Sequence, residues 1–190
     1  MNVYDFDHTI YNGDSSFDFF VYVLYKKPYL IFLLPLQVLG AVLYLFGIYS
    51  KENMKELFFV FIRFISVNKT VLCFWNRNRK KIKSWYMHQK QNSDVIISAS
   101  PEFLLEPLVC DYLGVNLIAS QFDQDLVKYI GNNCFGEEKV RRLYETYPDS
   151  NIENFYSDSL SDTPLAKKAM KSFIVKGKKI LPWNDWRAFL

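Results

Sequence analysis

The chain has 190 residues, of which 50% are hydrophobic and 18% aromatic, and its formal net charge is +3. This hydrophobic content excludes a disordered chain, and the length allows one full core with at most a smaller insert. The small net charge gives no support for a nucleic-acid partner. The three cysteines are widely spaced without a CxxC pair, which favours a reducing compartment and argues against structural zinc. We expect no secretory signal, because the first long apolar run begins only near residue 28.

The first predicted element is a short apolar stretch that ends in two acids. Residues 3–10 are VYDFDHTI, with Asp5 and Asp7 directly after what we predict to be the first strand. Two neighbouring carboxylates repel each other unless positive charge lies between them. The pattern therefore indicates either a polar turn after an edge strand or a metal site that includes a nucleophile.

The next part of the chain, residues 13–90, has the composition and the segment lengths of helices. Much of it is apolar or aromatic, and Pro28 suits the first turn of a new helix. Ser50 is a suitable N-cap for a helix over residues 51–66. A further helix with a strongly basic face is predicted over residues 68–91. We interpret residues 13–90 as an all-helical insert.

From residue 94 onward, short apolar runs alternate with helical segments. A small hairpin is predicted at residues 122–130. Strands and helices that alternate at these lengths indicate an open, mostly parallel α/β sheet. Residues 1–12 and 91–190 would form this core. The predicted strands are 95–97, 115–118, 152–156 and 173–175, and the predicted helices are 101–112, 136–147 and 161–170.

Polar residues of the predicted core gather at the carboxyl ends of its strands, where open parallel sheets bind ligands. They are acids, one hydroxyl and one lysine: Asp5, Asp7, Ser98, Lys139, Asp158 and Asp162. This convergence favours a metal site over a polar turn, because the acids would share a cation.

In this order, these residues resemble the four motifs of the haloacid dehalogenase (HAD) superfamily of phosphotransferases. The motifs are DFDHT from Asp5, Ser98 at the end of the apolar VIIS, Lys139, and the acid pair of SDSLSD. The resemblance covers essentially the whole chain, because the helical insert lies where this superfamily places its first cap. It implies a subfamily IB fold, with a Rossmann-like α/β core, a mostly parallel sheet and an inserted all-helical C1-type cap.

The resemblance also implies a role for each residue. Asp5 would be the nucleophile that forms an aspartyl-phosphate, and Asp7 would act as general acid and base. Mg²⁺ would be held by the side chains of Asp5 and Asp158 and by the carbonyl of Asp7. Ser98 and Lys139 would bind the transferring phosphate. The second acid of the motif favours phosphate-ester hydrolysis over dehalogenation.

Some residues near these motifs also allow a purely structural interpretation. Asp162 would hold the metal's water shell or Lys139, or it would cap the helix that follows it. We expect Thr9 to bond the loop backbone and Ser100 to be a helix N-cap. His8 replaces a glycine that is frequent in relatives, and we assign it no role.

Residues 28–50 contain no charged side chain, and Lys27 and Lys51 flank them. At ~1.5 Å per helical residue, this run is long enough to cross a bilayer. A single crossing, however, would put Asp5 and Asp158 on opposite sides of the membrane. The run must therefore be buried in the cap, lie in the membrane interface, or enter and return as a hairpin. Pro35 and Gly40 are predicted to make such a bend.

Basic residues around this run favour association with a membrane surface, because anionic lipid head groups attract them. The alternative is an ordinary solvated basic helix above a hydrophobic cap core. We expect membrane association, at the cytoplasmic face of the cell membrane. The basic residues are Lys26, Lys27, Lys51, Lys55, Arg77, Arg79, Lys80, Lys81 and Lys83.

Within the superfamily, the chain looks most like the phosphatidylglycerophosphatases of the C type. A basic pair before an LLPL-like run and the stretches VNLIASQ and FGEEKV carry that likeness. It implies a phosphorylated lipid substrate such as phosphatidylglycerophosphate. The alternative is a soluble enzyme of the phosphoserine phosphatase type, in which Asp14 would recognise an amino group and Arg63 a carboxylate. Asp14 is also a suitable helix N-cap. A non-catalytic membrane adaptor is a third interpretation, against which the intact acids and lysine argue.

Overall fold

The computed structural model describes residues 1–189, and eight strands form its framework. Three lie before the small hairpin and three after it. They are β1 (Val3–Tyr4), β2 (Val95–Pro101), β3 (Asn116–Ser120), β4 (Phe122–Asp123), β5 (Lys128–Tyr129), β6 (Ile152–Ser157), β7 (Ala169–Lys176) and β8 (Lys179–Pro182).

Six of these strands form one sheet in the order β3-β2-β1-β6-β7-β8, in which only the last pair is antiparallel. β1 has two residues, yet it pairs with β2 on one side and β6 on the other, which puts it at the centre. Val95, Ile96 and Ile97 of β2 are fully buried, as expected of a strand covered on both faces. The predicted mostly parallel α/β core is confirmed, and the predicted hairpin is β4–β5.

Between β1 and β2, a loop over residues 5–14 is followed by a series of helices from Ser15 to Gln89. Short 3-10 helices connect the α-helices at Pro28–Leu33, Phe59–Phe64 and Arg79–Lys81. A π-helix at Pro107–Tyr112 and 3-10 helices at Leu160–Asp162 and Trp183–Phe189 complete the fold. The α-helices are α1 (Ser15–Lys26), α2 (Leu34–Leu45), α3 (Lys51–Phe58), α4 (Val67–Asn78), α5 (Ser84–Gln89), α6 (Glu102–Glu106), α7 (Glu137–Thr146) and α8 (Thr163–Ala166).

Both predicted N-caps of the insert are confirmed. The Asp14 carboxylate accepts a hydrogen bond from the Phe17 N–H at 2.9 Å and starts α1. The Ser50 hydroxyl accepts one from the Asn53 N–H at 3.2 Å and starts α3. Each bond satisfies a backbone donor that the first helical turn would otherwise leave free.

Three predicted helices are wrong in extent. The helix over 51–66 tightens into a 3-10 helix at Phe59. The helix over 68–91 breaks at Ile82, because Ile82 pairs with Tyr11 and the Lys83 N–H bonds the Ile10 carbonyl at 2.8 Å. The helix over 161–170 stops at Ala166, since β7 begins three residues later and joins the sheet.

An aromatic cluster joins the helical insert to the sheet. Phe6, in the loop after β1, stacks on Tyr11 at a centroid distance of 5.5 Å and contacts the edge of Trp75 at 6.1 Å. Phe19 of α1 packs similarly against Phe74 of α4. All of these rings are buried, so the insert and the loop after β1 share one hydrophobic core.

The long apolar run is mostly exposed. One helical stretch, Pro28–Leu45, is long and apolar enough to span a membrane, judged by length and composition. Within it only Leu30, Gln37 and Gly40 are buried, so the run does not form the core of the cap. The chain then reverses after Leu45 and returns as α3. The predicted bend at Pro35 and Gly40 is therefore wrong.

The α2–α3 hairpin depends on a close approach at Gly40. A Cβ atom there would lie 3.0 Å from Leu57 Cδ1 and 3.2 Å from Leu57 Cβ. Next to it, the Gln37 side-chain amide donates to the Phe58 carbonyl at 2.8 Å. The small residue therefore allows the two helices to touch.

We predict that Gly40→Val lowers the free energy of unfolding by about 1–3 kcal/mol through overpacking against Leu57. Urea denaturation followed by far-UV circular dichroism measures this change. Gly40→Val combined with Leu57→Ala should recover part of the loss, because the truncated side chain makes room. Val38→Ala, at an exposed position of the same helix, is the control. If Gly40→Val were as stable as the wild type, the described packing would be wrong.

Candidate active site

The predicted site residues of the core line one cavity of about 390 Å³. It lies beyond the carboxyl ends of β1, β2 and β6, and the start of α7 closes one side. The parallel arrangement of these strands brings distant parts of the chain to one edge of the sheet. The residues brought together are Asp5, Asp7, Ser98, Lys139, Asp158 and Asp162.

A buried lysine connects two of the acids. The Lys139 ammonium donates to Asp5 Oδ1 at 2.6 Å and to Asp162 Oδ2 at 2.7 Å. Burial disfavours the charged ammonium, but Asp5 and Asp162 outweigh this effect and raise the pKa of Lys139. Burial raises the pKa of Asp5, and the Lys139 ammonium opposes that shift.

Thr9 links the first strand to the loop after β6. Its hydroxyl donates to Asp5 Oδ2 at 3.0 Å and accepts from the Asp158 N–H at 2.9 Å. Thr9 thus bonds loop backbone, as predicted, and in addition it holds the second oxygen of Asp5. Both oxygens of the Asp5 carboxylate have a partner, so its orientation is fixed.

The carboxyl group of Asp7 is held by two hydrogen bonds of 2.6 Å, from the Ser15 N–H in the first turn of α1 and from the Ser100 hydroxyl. Burial raises the pKa of Asp7 to about 6 and nearby Asp14 adds to the shift, whereas these hydrogen bonds oppose it. A carboxyl with a pKa in this range can both give and take a proton near neutrality.

Ser100 is a residue that the sequence analysis missed. We predicted it as a helix N-cap, but the residue before α6 is Pro101, and the Ser100 hydroxyl bonds Asp7 instead. The backbone N–H of Ser100 also donates to the Ser98 hydroxyl at 3.1 Å. The available signal was the spacing: alternate residues of a strand point to the same side, and Ser98 lines the cavity.

Asp162 occupies the N-cap position of α8, but its side chain makes no capping hydrogen bond and accepts one from Lys139 instead. Its Oδ2 also accepts from the Ser157 hydroxyl at 2.7 Å, while its buried Oδ1 lacks a hydrogen-bond partner among the described residues. Asp158 lies nearer the surface, with Lys176 at 4.0 Å. Burial raises the pKa of Asp158, and Lys176 opposes the shift.

The donors at this site suit a hard cation. Residues 1–189 contain no cluster of three or more His, Cys, Asp or Glu side chains arranged around a metal position. The predicted set needs only two carboxylates, Asp5 and Asp158, with the Asp7 carbonyl. These are oxygen ligands, which Mg²⁺ prefers. Burial disfavours ionisation of all three acids, so a divalent cation would fit the cavity.

The two substrate residues predicted for a phosphoserine-type enzyme differ in position. Asp14 caps α1, and it also lines the cavity, whereas recognition of an amino group by Asp14 stays a prediction. Arg63 does not reach the cavity. Its guanidinium donates to the Leu126 carbonyl at 3.0 Å, because the 3-10 helix that carries it packs against the β4–β5 hairpin.

One face of α3 also lines the cavity, which the sequence analysis did not predict. This face is formed by Lys51, Met54, Lys55 and Phe58. Residues that are three, four and seven positions apart lie on the same side of an α-helix. Both lysines belong to the basic residues that the sequence predicts at a membrane surface. The structure places them over the active site.

A parallel sheet with acids and a lysine at its carboxyl edge defines a hydrolase site of the haloacid dehalogenase type. The family described as haloacid dehalogenase-like hydrolase matches residues 3–167, and the chain belongs to this family of hydrolases. No curated protein matches the chain.

Solved structures share the fold. A protein of unknown function from Bordetella pertussis Tohama I aligns with a TM-score of 0.71 at 19% identity, over 90% of this chain and 87% of the other. A phosphoserine phosphohydrolase-like protein from Francisella tularensis aligns with a TM-score of 0.52 at 16% identity, over 90% of this chain and 86% of the other. A HAD family hydrolase from Salmonella enterica serovar Typhi aligns with a TM-score of 0.58 at 12% identity, over 88% of this chain and 59% of the other. At these identities the likeness concerns the fold alone.

We predict that Lys139→Met lowers the free energy of unfolding by about 3–5 kcal/mol, because it leaves two buried carboxylates unpaired. Urea denaturation in metal-free buffer at pH 7 measures the loss, with exposed Lys167→Met as the control.

The loss should be smaller at pH 5. Burial already raises the pKa of Asp5, and loss of the opposing ammonium raises it further, so the folded variant binds a proton more tightly than the unfolded chain and regains stability as the pH falls. An equal loss at both pH values would contradict the described ion pairs.

Proposed function

We propose that this hydrolase is a Mg²⁺-dependent phosphomonoesterase that acts through an aspartyl-phosphate on Asp5, with a membrane lipid phosphate such as phosphatidylglycerophosphate as substrate. The observation that carries the proposal is the buried Asp5 carboxylate, bonded to Lys139 at 2.6 Å in the cavity that Asp7, Ser98 and Asp158 also line. Phosphoryl transfer depends mostly on positioning and on neutralising charge, and these groups offer both.

In the proposed first step, an oxygen of Asp5 attacks the phosphorus atom. A phosphorus–oxygen bond to Asp5 forms and the bond to the leaving alkoxide breaks. The Asp7 carboxyl gives its proton to that alkoxide, a role that its raised pKa supports. Thr9 and Lys139 hold the nucleophile in place throughout.

In the second step, water hydrolyses the aspartyl-phosphate. Asp7, now ionised, takes a proton from the attacking water, and inorganic phosphate leaves. The Ser98 hydroxyl and the Lys139 ammonium would stabilise the negative charge on the transferring group. Ser100 and Ser15 keep the Asp7 carboxyl at the same position for both proton transfers.

The bound Mg²⁺ would supply positive charge between Asp5 and the phosphate dianion, which otherwise repel each other. Asp5, Asp158 and the Asp7 carbonyl would hold it.

We predict that Asp5→Asn lowers kcat by at least about 10³-fold, because it removes the attacking charge with almost no change in volume. Hydrolysis of p-nitrophenyl phosphate measures the rate, and thermal unfolding checks the fold. Asp149→Asn, outside the cavity, is the matched control. A rate within tenfold of wild type would point to another nucleophile.

Removal of Mg²⁺ should abolish activity, and adding it back should raise the melting temperature, since a ligand of the folded state stabilises that state. Differential scanning fluorimetry with and without chelator measures the shift. The shift should shrink in Asp158→Asn. Full activity in excess chelator would exclude the proposed metal.

The lipid part of the proposal rests on an apolar surface that begins at the cavity. Phe17 lines the cavity and is 57% exposed. Val21 and Tyr25 follow at four-residue intervals on α1 and are also exposed, so the three form one helix face. That face leads to the exposed run Pro28–Leu45. Contiguous apolar surface of this kind is typical of sites that contact membranes.

The α2–α3 hairpin supports entry from one side of the membrane. The chain enters the apolar run after Lys27 and returns with Lys51, so the elements before and after it stay together. Of the basic stretch at 77–83, Lys81 pairs with Asp18, whereas Arg77, Arg79 and Lys80 are exposed. These would face anionic head groups, and we place the protein at the cytoplasmic leaflet.

We predict that the wild-type protein pellets with vesicles that contain anionic lipid and that replacement of Phe32, Leu45 and Phe46 by serine abolishes pelleting. These side chains are 84%, 80% and 77% exposed, so the fold should tolerate the change. The control is the double variant Leu72→Ser and Met170→Ser, whose side chains are exposed outside the apolar run. Wild type that stays in the supernatant would exclude the lipid part of the proposal and leave the phosphatase part standing.

A further inference from the structure

The α3 face over the cavity carries two lysines that the proposed chemistry does not use. Lys51 and Lys55 lie one turn apart, with Met54 and Phe58 beside them. Lys139 and Ser98 already account for the transferring phosphate. The two further cations are therefore available to bind another group in the cavity.

Lys55 is partly buried and has no ion-pair partner among the described residues. Its ammonium donates to the Ala99 carbonyl at 2.9 Å and to Asn133 Oδ1 at 3.0 Å, both neutral oxygens. No carboxylate of residues 1–189 lies within 4.0 Å of it. Burial, with a smaller contribution from Lys51, lowers the pKa of Lys55 to about 8, and Asp7, Asp14 and Glu52 oppose this shift. A partly buried cation that bonds only neutral oxygens gains stability when an anion joins it.

Lys51 is similarly unpaired in the described chain. Its ammonium lies 3.6 Å from the ring centroid of Phe135, which also lines the cavity. Burial lowers the pKa of Lys51, while Glu52 and Asp162 oppose the shift. Two ammonium groups at i and i+4 repel each other, which adds to the unfavourable charge on this wall.

The position of Lys55 indicates where its ligand would lie. Ala99 stands between Ser98 and Ser100, so the lysine is tied to the same backbone that holds these two serines. An ammonium has three donors, and the two described bonds leave one for a ligand. An anion bound there would lie in the same cavity as the scissile phosphate.

We infer that Lys51 and Lys55 bind a second anionic group of the substrate, so that the preferred substrate is a phosphomonoester that carries a further phosphodiester or carboxylate close to the phosphate. The inference rests on the proposed function and narrows its substrate class. Phe17, Phe58 and Phe135 line the rest of the cavity and suit the uncharged part of such a molecule.

The inference predicts selectivity between lipids that differ in one charge. Phosphatidylglycerophosphate carries a phosphodiester besides its phosphomonoester, whereas phosphatidic acid carries only the phosphomonoester. In mixed micelles, wild-type kcat/KM should favour the first by about 10–100-fold, the range expected of a charge-assisted hydrogen bond. The kcat/KM values for phosphoserine and phosphoethanolamine, which differ by a carboxylate, test that anion in the same way. The lipid pair and this soluble pair together identify whether the site binds a phosphodiester or a carboxylate.

The ratio of the two kcat/KM values should fall toward one when Lys51→Met is combined with Lys55→Met. The main cause should be a higher KM for the substrate with two anionic groups. Lys51→Arg combined with Lys55→Arg should restore part of it, and exposed Lys167→Met should keep the wild-type ratio. Melting temperatures verify that each variant folds. Equal losses on both members of a pair would show that the lysines only support the fold, and a wild-type ratio near one would also overturn the inference.

A binding measurement separates this inference from the proposed reaction. Calorimetry with Asp5→Asn, which should not turn over, compares the affinities for the same two lipids in micelles. Tighter binding of phosphatidylglycerophosphate that requires Lys51 and Lys55 supports the second-anion site even if Asp5 is not the nucleophile. Equal affinities would overturn the inference while leaving the hydrolysis data untouched.

Discussion

The buried ion triad of Asp5, Lys139 and Asp162 is the constraint on which the rest of the site depends. It joins the loop after β1, the first turn of α7 and the segment after β6. A lysine this deeply buried is stable only with both carboxylates in contact, and each carboxylate needs the lysine in return. The sheet order, with β1 between β2 and β6, makes that meeting possible. Fold and site therefore stabilise each other.

The helical insert takes part in the site as well as covering it. The first turn of α1 donates to Asp7, and Lys55 of α3 bonds the backbone at Ala99. The aromatic cluster around Phe6 and Trp75 packs the insert against the loop that bears the acids. In the proposed enzyme, the sheet edge would carry out the reaction, and the insert would select the substrate and aid its proton transfers.

The apolar residues of the insert are of two kinds, buried and exposed. The rings of Phe19, Phe61 and Phe74 are buried and stabilise the insert. Phe17, Tyr25 and the run Pro28–Leu45 remain exposed, although burial of such side chains in the protein would be favourable. In the proposed function, the bilayer would cover them. A lipid could then reach the cavity with its acyl chains still in contact with apolar surface.

The sequence alone determined the parallel α/β core, the helical character of the insert and the acids and lysine of the site, because strand and helix periodicity and short motifs are local properties. It did not determine where the helices break. Ile82 leaves the helix because it pairs with the distant Tyr11, and α8 ends early because β7 joins the sheet. The partners of Ser100, Lys51 and Lys55, and the position of Arg63 away from the cavity, likewise followed only from the tertiary structure. These side chains are polar groups whose neighbours lie far along the chain, and packing of the insert on the sheet decides which neighbour each one meets.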